Sequence, residues 1–247
     1  GLLALAGLAA SAQTPTVQTA HDNYVIGEDI SIGFAGGPGN VKDWVGVYPV
    51  DIVPGDSPST IWNYVDGTKD GIVSLTEGSI AFPGGLNFAG PWKAYLLEND
   101  GYTILAETAF QVVEAGTPLV RVAQRSVESG KPIEISFSAG PGNAKDWIGL
   151  YQEGQIPGEV TSTAYLYVDG TLGGTTGSTD GTVTFSAGLA TPGRYVAFLL
   201  LNDGYTILAS ETFAVVAPSA AKARILSIRP ADGATGVAPS IQYEAAL

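Results

Sequence analysis

The chain has 247 residues, with 24 acidic against 11 basic side chains, a formal net charge of −13, no cysteine and one histidine. That balance repels phosphate backbones and anionic membranes, which excludes nucleic-acid binding through a basic patch, and the lack of cysteine excludes disulfides, thiolate metal sites and cysteine nucleophiles. With 45% hydrophobic and 14% charged residues, punctuated by 33 glycines and 15 prolines, the composition favours short strands joined by turns.

In chain order, residues 1–12 read as a partial signal peptide. A short apolar run is followed by Ala10-Ser11-Ala12, the small-residue pattern of a cleavage site, with Gln13 as the mature start. The run is too short to span a bilayer, so the expectation is a secreted or cell-surface protein with no membrane span here. Residues 14–21 form a polar lead that contains His21. Ile30, Ile32 and Phe34 then alternate with Ser31 and Gly33, the period of a strand with one buried face. Gly37-Pro38-Gly39-Asn40 breaks it, because glycine tolerates positive φ and proline lacks a ladder donor.

A second strand over 43–48 carries Val45 and Val47 on one face and Trp44, Gly46 and Tyr48 on the other. Further strands are expected at 60–65, 79–82 and 92–97, and a last one ending at 110–113. Between the final two, Asn99-Asp100-Gly101-Tyr102 reads as a hairpin with a two-residue Asp-Gly turn.

The whole set recurs 103 residues later. Gly140-Pro141-Gly142-Asn143, Lys145-Asp146-Trp147-Ile148-Gly149-Leu150-Tyr151, Tyr167-Val168-Asp169-Gly170-Thr171 and Asn202-Asp203-Gly204-Tyr205 repeat their counterparts without a gap. Such a period marks tandem copies of one module. The expected fold is all-β: two tandem antiparallel immunoglobulin/fibronectin-III-like β-sandwiches over residues 14–114 and 119–217, joined by a short linker. Residues 223–247, with Pro230-Ala231-Asp232-Gly233-Ala234-Thr235-Gly236-Val237, resemble the truncated start of a bacterial Ig-like domain.

The Lys-Asp-Trp-Val/Ile-Gly-Val/Leu-Tyr strand, with its preceding Gly-Pro-Gly-Asn loop and the later Tyr-Val-Asp-Gly-Thr and Asn-Asp-Gly-Tyr segments, resembles the fibronectin-III-like N-terminal domain of purple acid phosphatases and the SKICH domain. It is also similar to accessory modules of secreted bacterial metallophosphoesterases. The resemblance implies a non-catalytic module beside a catalytic or surface-anchored domain. The Asp/His/Asn ligand motifs of a metallophosphoesterase do not occur in this sequence.

His21 is the only histidine, so neither a His-rich zinc site nor a repeated Ser-His-Asp arrangement is available, and His21 reads as a solvated linker residue. Two repeated sets remain. Asn40, Asp43, Asn99 and Asp100, with Asn143, Asp146, Asn202 and Asp203, are expected at one end of each sandwich, where such oxygens suit calcium; the competing reading is that they only form turns. Trp44, Tyr48, Trp62 and Tyr64, with Trp147, Tyr151, Tyr165 and Tyr167, form an aromatic stripe, either a stacking surface or part of the core.

The resulting expectation is a non-catalytic structural or recognition region of a larger secreted or cell-surface bacterial protein. Its partners would be an extracellular glycan or protein and the downstream domains of the same chain, with no cofactor beyond the calcium just considered. The alternatives are the accessory N-terminal region of a secreted metallophosphoesterase or nuclease, and a carbohydrate-binding or adhesive module.

Overall fold

The alternation at Ile30, Ile32 and Phe34 becomes the buried face of a strand whose intervening residues are only partly covered. In the computed structural model, residues 13–218, 224–229 and 240–244 are described, and all regular elements among them are strands. The first copy comprises β1 (Thr16–Thr19), β2 (Asn23–Val25), β3 (Ile30–Ala35), β4 (Trp44–Pro49), β5 (Ile61–Tyr64), β6 (Gly78–Phe82), β7 (Gly90–Leu97) and β8 (Ile104–Val113). The second comprises β9 (Leu119–Val122), β10 (Ser126–Glu128), β11 (Ile133–Ser138), β12 (Trp147–Gln152), β13 (Ala164–Tyr167), β14 (Gly181–Phe185), β15 (Gly193–Leu200) and β16 (Ile207–Val216).

Each copy is a sandwich of the immunoglobulin/fibronectin-III kind. A three-stranded sheet, β1-β3-β6 or β9-β11-β14, faces a five-stranded sheet, β2-β8-β7-β4-β5 or β10-β16-β15-β12-β13. Between the layers of the first copy, Ile30, Ile32, Phe34, Ile80 and Phe82 meet Val45, Val47, Ala94, Leu96 and Val112. Burial of each large aliphatic side chain among these is worth about 2 kcal/mol. The second copy reproduces this core around Ile133, Ile135, Phe137, Ile148 and Leu150.

Three expectations need correction. The polar lead over 14–21 contains β1, which pairs antiparallel with β3. The five-stranded sheets are not wholly antiparallel, since β2 runs parallel to β8 and β10 parallel to β16. The hairpin turn is centred on Asn99-Asp100, not Asp-Gly: both residues have positive φ, and Gly101 N donates to Glu98 O at 2.7 Å. Asparagine and aspartate tolerate that left-handed backbone better than other non-glycine residues.

His21 is also placed differently from its sequence reading. It lies where the two copies meet, its Nδ1 2.8 Å from Oε1 of Glu211, a fully buried side chain of the second copy. Around it, Arg121 forms a two-pronged ion pair with Glu28, at 2.5 and 2.7 Å. Arg125 binds Asp22 at 2.7 Å and donates to the Ala20 carbonyl at 2.9 Å. Asp22 in turn accepts from the Thr212 amide and hydroxyl at 2.7 and 2.8 Å. The histidine is therefore part of a polar contact between the modules.

Farther along, β17 (Arg224–Arg229) and β18 (Ser240–Glu244) pair antiparallel. The leader read over 1–12 and the third-domain motif at 230–237 lie outside the described residues.

Candidate functional site

Strand alternation sends Val45 and Val47 into the core and turns Trp44 and Tyr48 to the opposite, outer face of the five-stranded sheet. The rings lie down over Gly46 between them. A Cβ at Gly46 would stand 2.7 Å from the Trp44 ring and 2.8 Å from the Tyr48 ring, and Gly149 meets the same limits against Trp147 and Tyr151. In register, Gly46 faces Trp62 and Trp44 faces Tyr64 on the edge strand β5; Gly149 faces Tyr165 and Trp147 faces Tyr167 on β13. The missing side chain is thus what lets aromatic rings from two strands close over the sheet.

The aromatic stripe is therefore packed, but outside the inter-sheet core. Trp44, Tyr48 and Tyr64 are buried and Trp62 half-buried, as are Trp147 and Tyr151 beside the half-buried Tyr167. Tyr165 is 42% exposed. A ring missed in the sequence reading completes each set: Tyr102 or Tyr205, following the hairpin turn, meets the tryptophan edge-on at 5.9 or 6.0 Å between centroids. The offset of 103 already paired Tyr102 with Tyr205, but only the fold shows that the turn folds back over the stripe. Tryptophan holds that turn, Trp44 Nε1 donating to Gly101 O and Trp147 Nε1 to Gly204 O, each at 3.0 Å.

The polar set divides between two jobs. Asp43, 1% exposed, accepts from Asn40 N at 2.9 Å, Asn40 Nδ2 at 3.1 Å and Asn99 N at 3.0 Å. Asp146 does the same with Asn143 and Asn202. These carboxylates lace the Gly-Pro-Gly-Asn loop to the hairpin, and their oxygens face N–H donors. Among the described residues no group of three or more His, Asp or Glu side chains converges as a metal site. Asp100 and Asp203 point elsewhere, accepting the hydroxyl hydrogens of Tyr64 and Tyr167. That bond is the main reason both phenols are pushed up to about 12.

A second structural carboxylate lies in the repeated Tyr-Val-Asp-Gly-Thr segment. Asp66 accepts from the Thr68 amide and hydroxyl and from the amides of Ile72 and Val73; Asp169 repeats this with Thr171, Thr175 and Thr176. The Asp-x-Thr spacing is the signal that finds it in sequence, as an Asx-type turn.

Together the rings and loops wall a cleft on each module. The first, about 340 Å³, is lined by Trp44, Trp62, Tyr64, Tyr102 and Asp100, with Pro58 and Ser59 at one side. The second, about 410 Å³, has Trp147, Tyr165, Tyr167, Tyr205, Asp203 and Glu159 around it, with Thr161 and Ser162 in place of the Pro-Ser pair. At the floor, the hydroxyls of Tyr48 and Tyr151 are buried without hydrogen-bond partners. Burial raises the pKa of both phenols. Lys69 Nζ lies 3.9 Å from the Trp62 ring centre in the first module.

Fold and site together define tandem all-β sandwiches with an aromatic cleft on the outer sheet of each. No protein-family model matches the chain, and no curated protein matches it. Among solved structures it is similar to a purple acid phosphatase from yellow lupin seeds, at 14% identity and TM-score 0.33, over 82% of this chain and 41% of that one. It is also similar to the ectodomain of a teleost fish polymeric Ig receptor, at 14% identity and TM-score 0.29, over 82% of this chain and 97% of that one. Both are distant likenesses of β-sheet architecture. Among the described residues no helix is long and apolar enough to cross a membrane.

Proposed function

We propose that the chain is a non-catalytic recognition region of a secreted protein, presenting the same aromatic cleft twice. The observation that carries this reading is the repetition of the cleft itself. The tryptophan, glycine, tyrosine and aspartate that build it occur in both copies with the same hydrogen bonds. Flat rings at such a surface supply contact area at little entropic cost. The extracellular setting rests on the apolar leader read in the sequence.

The non-catalytic part of the reading is supported by where the reactive groups go. His21 is engaged with Glu211 between the modules, and Asp43, Asp66 and their counterparts are tied to backbone amides. Turnover of p-nitrophenyl phosphate, bis-p-nitrophenyl phosphate and p-nitrophenyl glycosides, with Zn²⁺, Mn²⁺, Ca²⁺ or chelator, is expected to stay at the buffer rate. Hydrolysis that Asp203→Asn or Glu159→Gln abolishes would overturn the reading.

A further inference from the structure

The second cleft carries a polar lining of one chemical kind. Its side chains offer hydroxyls and carboxylates, and no lysine or arginine lines it. An anionic ligand would face Asp203 and Glu159 on a chain whose net charge is −13, and the Lys145 ammonium, 4.5 Å from the Tyr167 ring centre, is already donating to Gly173 O. The partner must therefore bring hydrogen-bond donors for the carboxylates.

A partner that also accepts uses more of the lining. Thr161 and Ser162, in the lining, present hydroxyls that donate as well as accept. An ammonium group can donate to the carboxylates and to the hydroxyl oxygens but cannot accept the hydroxyl hydrogens, whereas a sugar hydroxyl does both. The walls ask for a flat apolar face too. Tyr165 and Tyr205, 42% and 57% exposed, stand beside Trp147 with ring planes at 83° and 79° to it. A cleft of about 410 Å³ falls within the size of small-ligand sites.

We propose that this cleft binds a neutral saccharide, its C–H face against Tyr165 and Tyr205 and its hydroxyls shared among Asp203, Glu159, Thr161 and Ser162. The proposal rests on the recognition reading above and specifies its ligand. The first module is the weaker site. Pro58 stands where the second has Thr161, its lining includes one carboxylate instead of two, and Lys69 lies over Trp62 where the second copy has Leu172.

The test is calorimetric titration of the full chain with cellohexaose, mannohexaose and laminarihexaose, with an oligogalacturonate and octalysine as charged controls. At least one neutral hexaose is expected to bind. Tyr165→Ala and Tyr205→Ala should each weaken it tenfold or more, and Trp62→Ala less than threefold. Glu159→Gln and Asp203→Asn keep every ring and should weaken binding about fivefold, which keeps the test informative if an alanine variant unfolds. Hexaose binding indifferent to all four second-cleft variants, or equal binding of oligogalacturonate, overturns the proposal. Octalysine binding that Tyr165→Ala abolishes, with no hexaose bound, overturns the saccharide assignment and leaves the recognition reading standing. Binding of neither probe counts against both.

Discussion

The two modules differ least where the outer sheet is built and most where it meets something else. Trp44 and Trp147, Gly46 and Gly149, Tyr64 and Tyr167, and Asp43 and Asp146 make matching contacts. At the cleft mouths, however, Trp62 is answered by Tyr165, Lys69 by Leu172 and Pro58 by Thr161. Where the copies touch, Asp22 is answered by Arg125, and these two equivalent positions bind each other at 2.7 Å. A duplicated unit presents like charges at equivalent positions until one copy changes sign, so this ion pair exists only because the copies diverged. Identity between them marks the scaffold, and difference marks assembly and use.

The sharpest way to break that division is to alter the shared scaffold. Gly46→Ala or Gly149→Ala should cost about 3 kcal/mol, because the added Cβ meets ring atoms at 2.7–2.8 Å from two directions. Gly67→Ala is the companion measurement: its φ of +77° carries backbone strain, but nothing lies within 4 Å of its Cβ, so its loss should be nearer 1 kcal/mol. Urea unfolding of the three variants separates ring crowding from backbone strain. Equal losses would mean that the rings move aside and that glycine is not what seats the stripe.

Next in size is the contact between the copies. His21→Ala leaves the carboxylate of Glu211 buried without its nearest partner, and should cost about 2 kcal/mol, less than a fully enclosed pair because His21 is partly exposed. Glu211→Gln should be close to neutral at pH 7. Burial raises the Glu211 pKa, so its ionised form destabilises the fold above that pKa, and the amide removes this cost. If His21→Ala instead melts like the unaltered chain, the His21–Glu211 contact contributes nothing and the interface rests on Arg121–Glu28 and Arg125–Asp22.

The outer-sheet motif was legible because it obeys a two-residue period and recurs. Val45 and Val47 separate cleanly from Trp44, Gly46 and Tyr48, and the repeat shows the same split. The interface was not legible, since nothing local distinguishes His21 from a solvated residue, and its partner lies 190 positions away. The signal that was present, opposite charge at equivalent positions 22 and 125, becomes readable only when divergence is weighed beside identity. Strands β1, β2, β9 and β10 are three or four residues long, too short to display a period, and two of them depend on parallel pairing with the final strand of their copy.

A smaller effect should appear in acid. Burial is the largest single influence on Asp66 and raises its pKa, but the Thr68 hydroxyl and the amides of Ile72, Thr68 and Val73 together bring it down to about 2. Asp169 is lowered too, led by the Thr171 hydroxyl. A folded pKa below the unfolded value, near 4, gives stability that is fully present above pH ~4 and fades as the pH falls toward 2. Asp66→Asn and Asp169→Asn should flatten that acid limb with little change at neutral pH. An acid limb unchanged in the double variant would assign it to other carboxylates.

The smallest expected change in stability lies in the pair that links scaffold and cleft. Tyr64 and Tyr167 are pushed up to about 12, chiefly because Asp100 and Asp203 accept their hydroxyl hydrogens. In Asp100→Asn the Tyr64 phenol should titrate closer to the ordinary value near 10, and in Asp203→Asn the same should hold for Tyr167, followed by absorbance at 295 nm. Asp100 and Asp203 are both exposed, so neither variant should lose more than about 1 kcal/mol. A raised phenol persisting in both variants would mean that the aspartates do not hold these rings. One that persists in only one variant would show that the copies differ even in the residues they share, and would move the boundary between scaffold and use inside the motif itself.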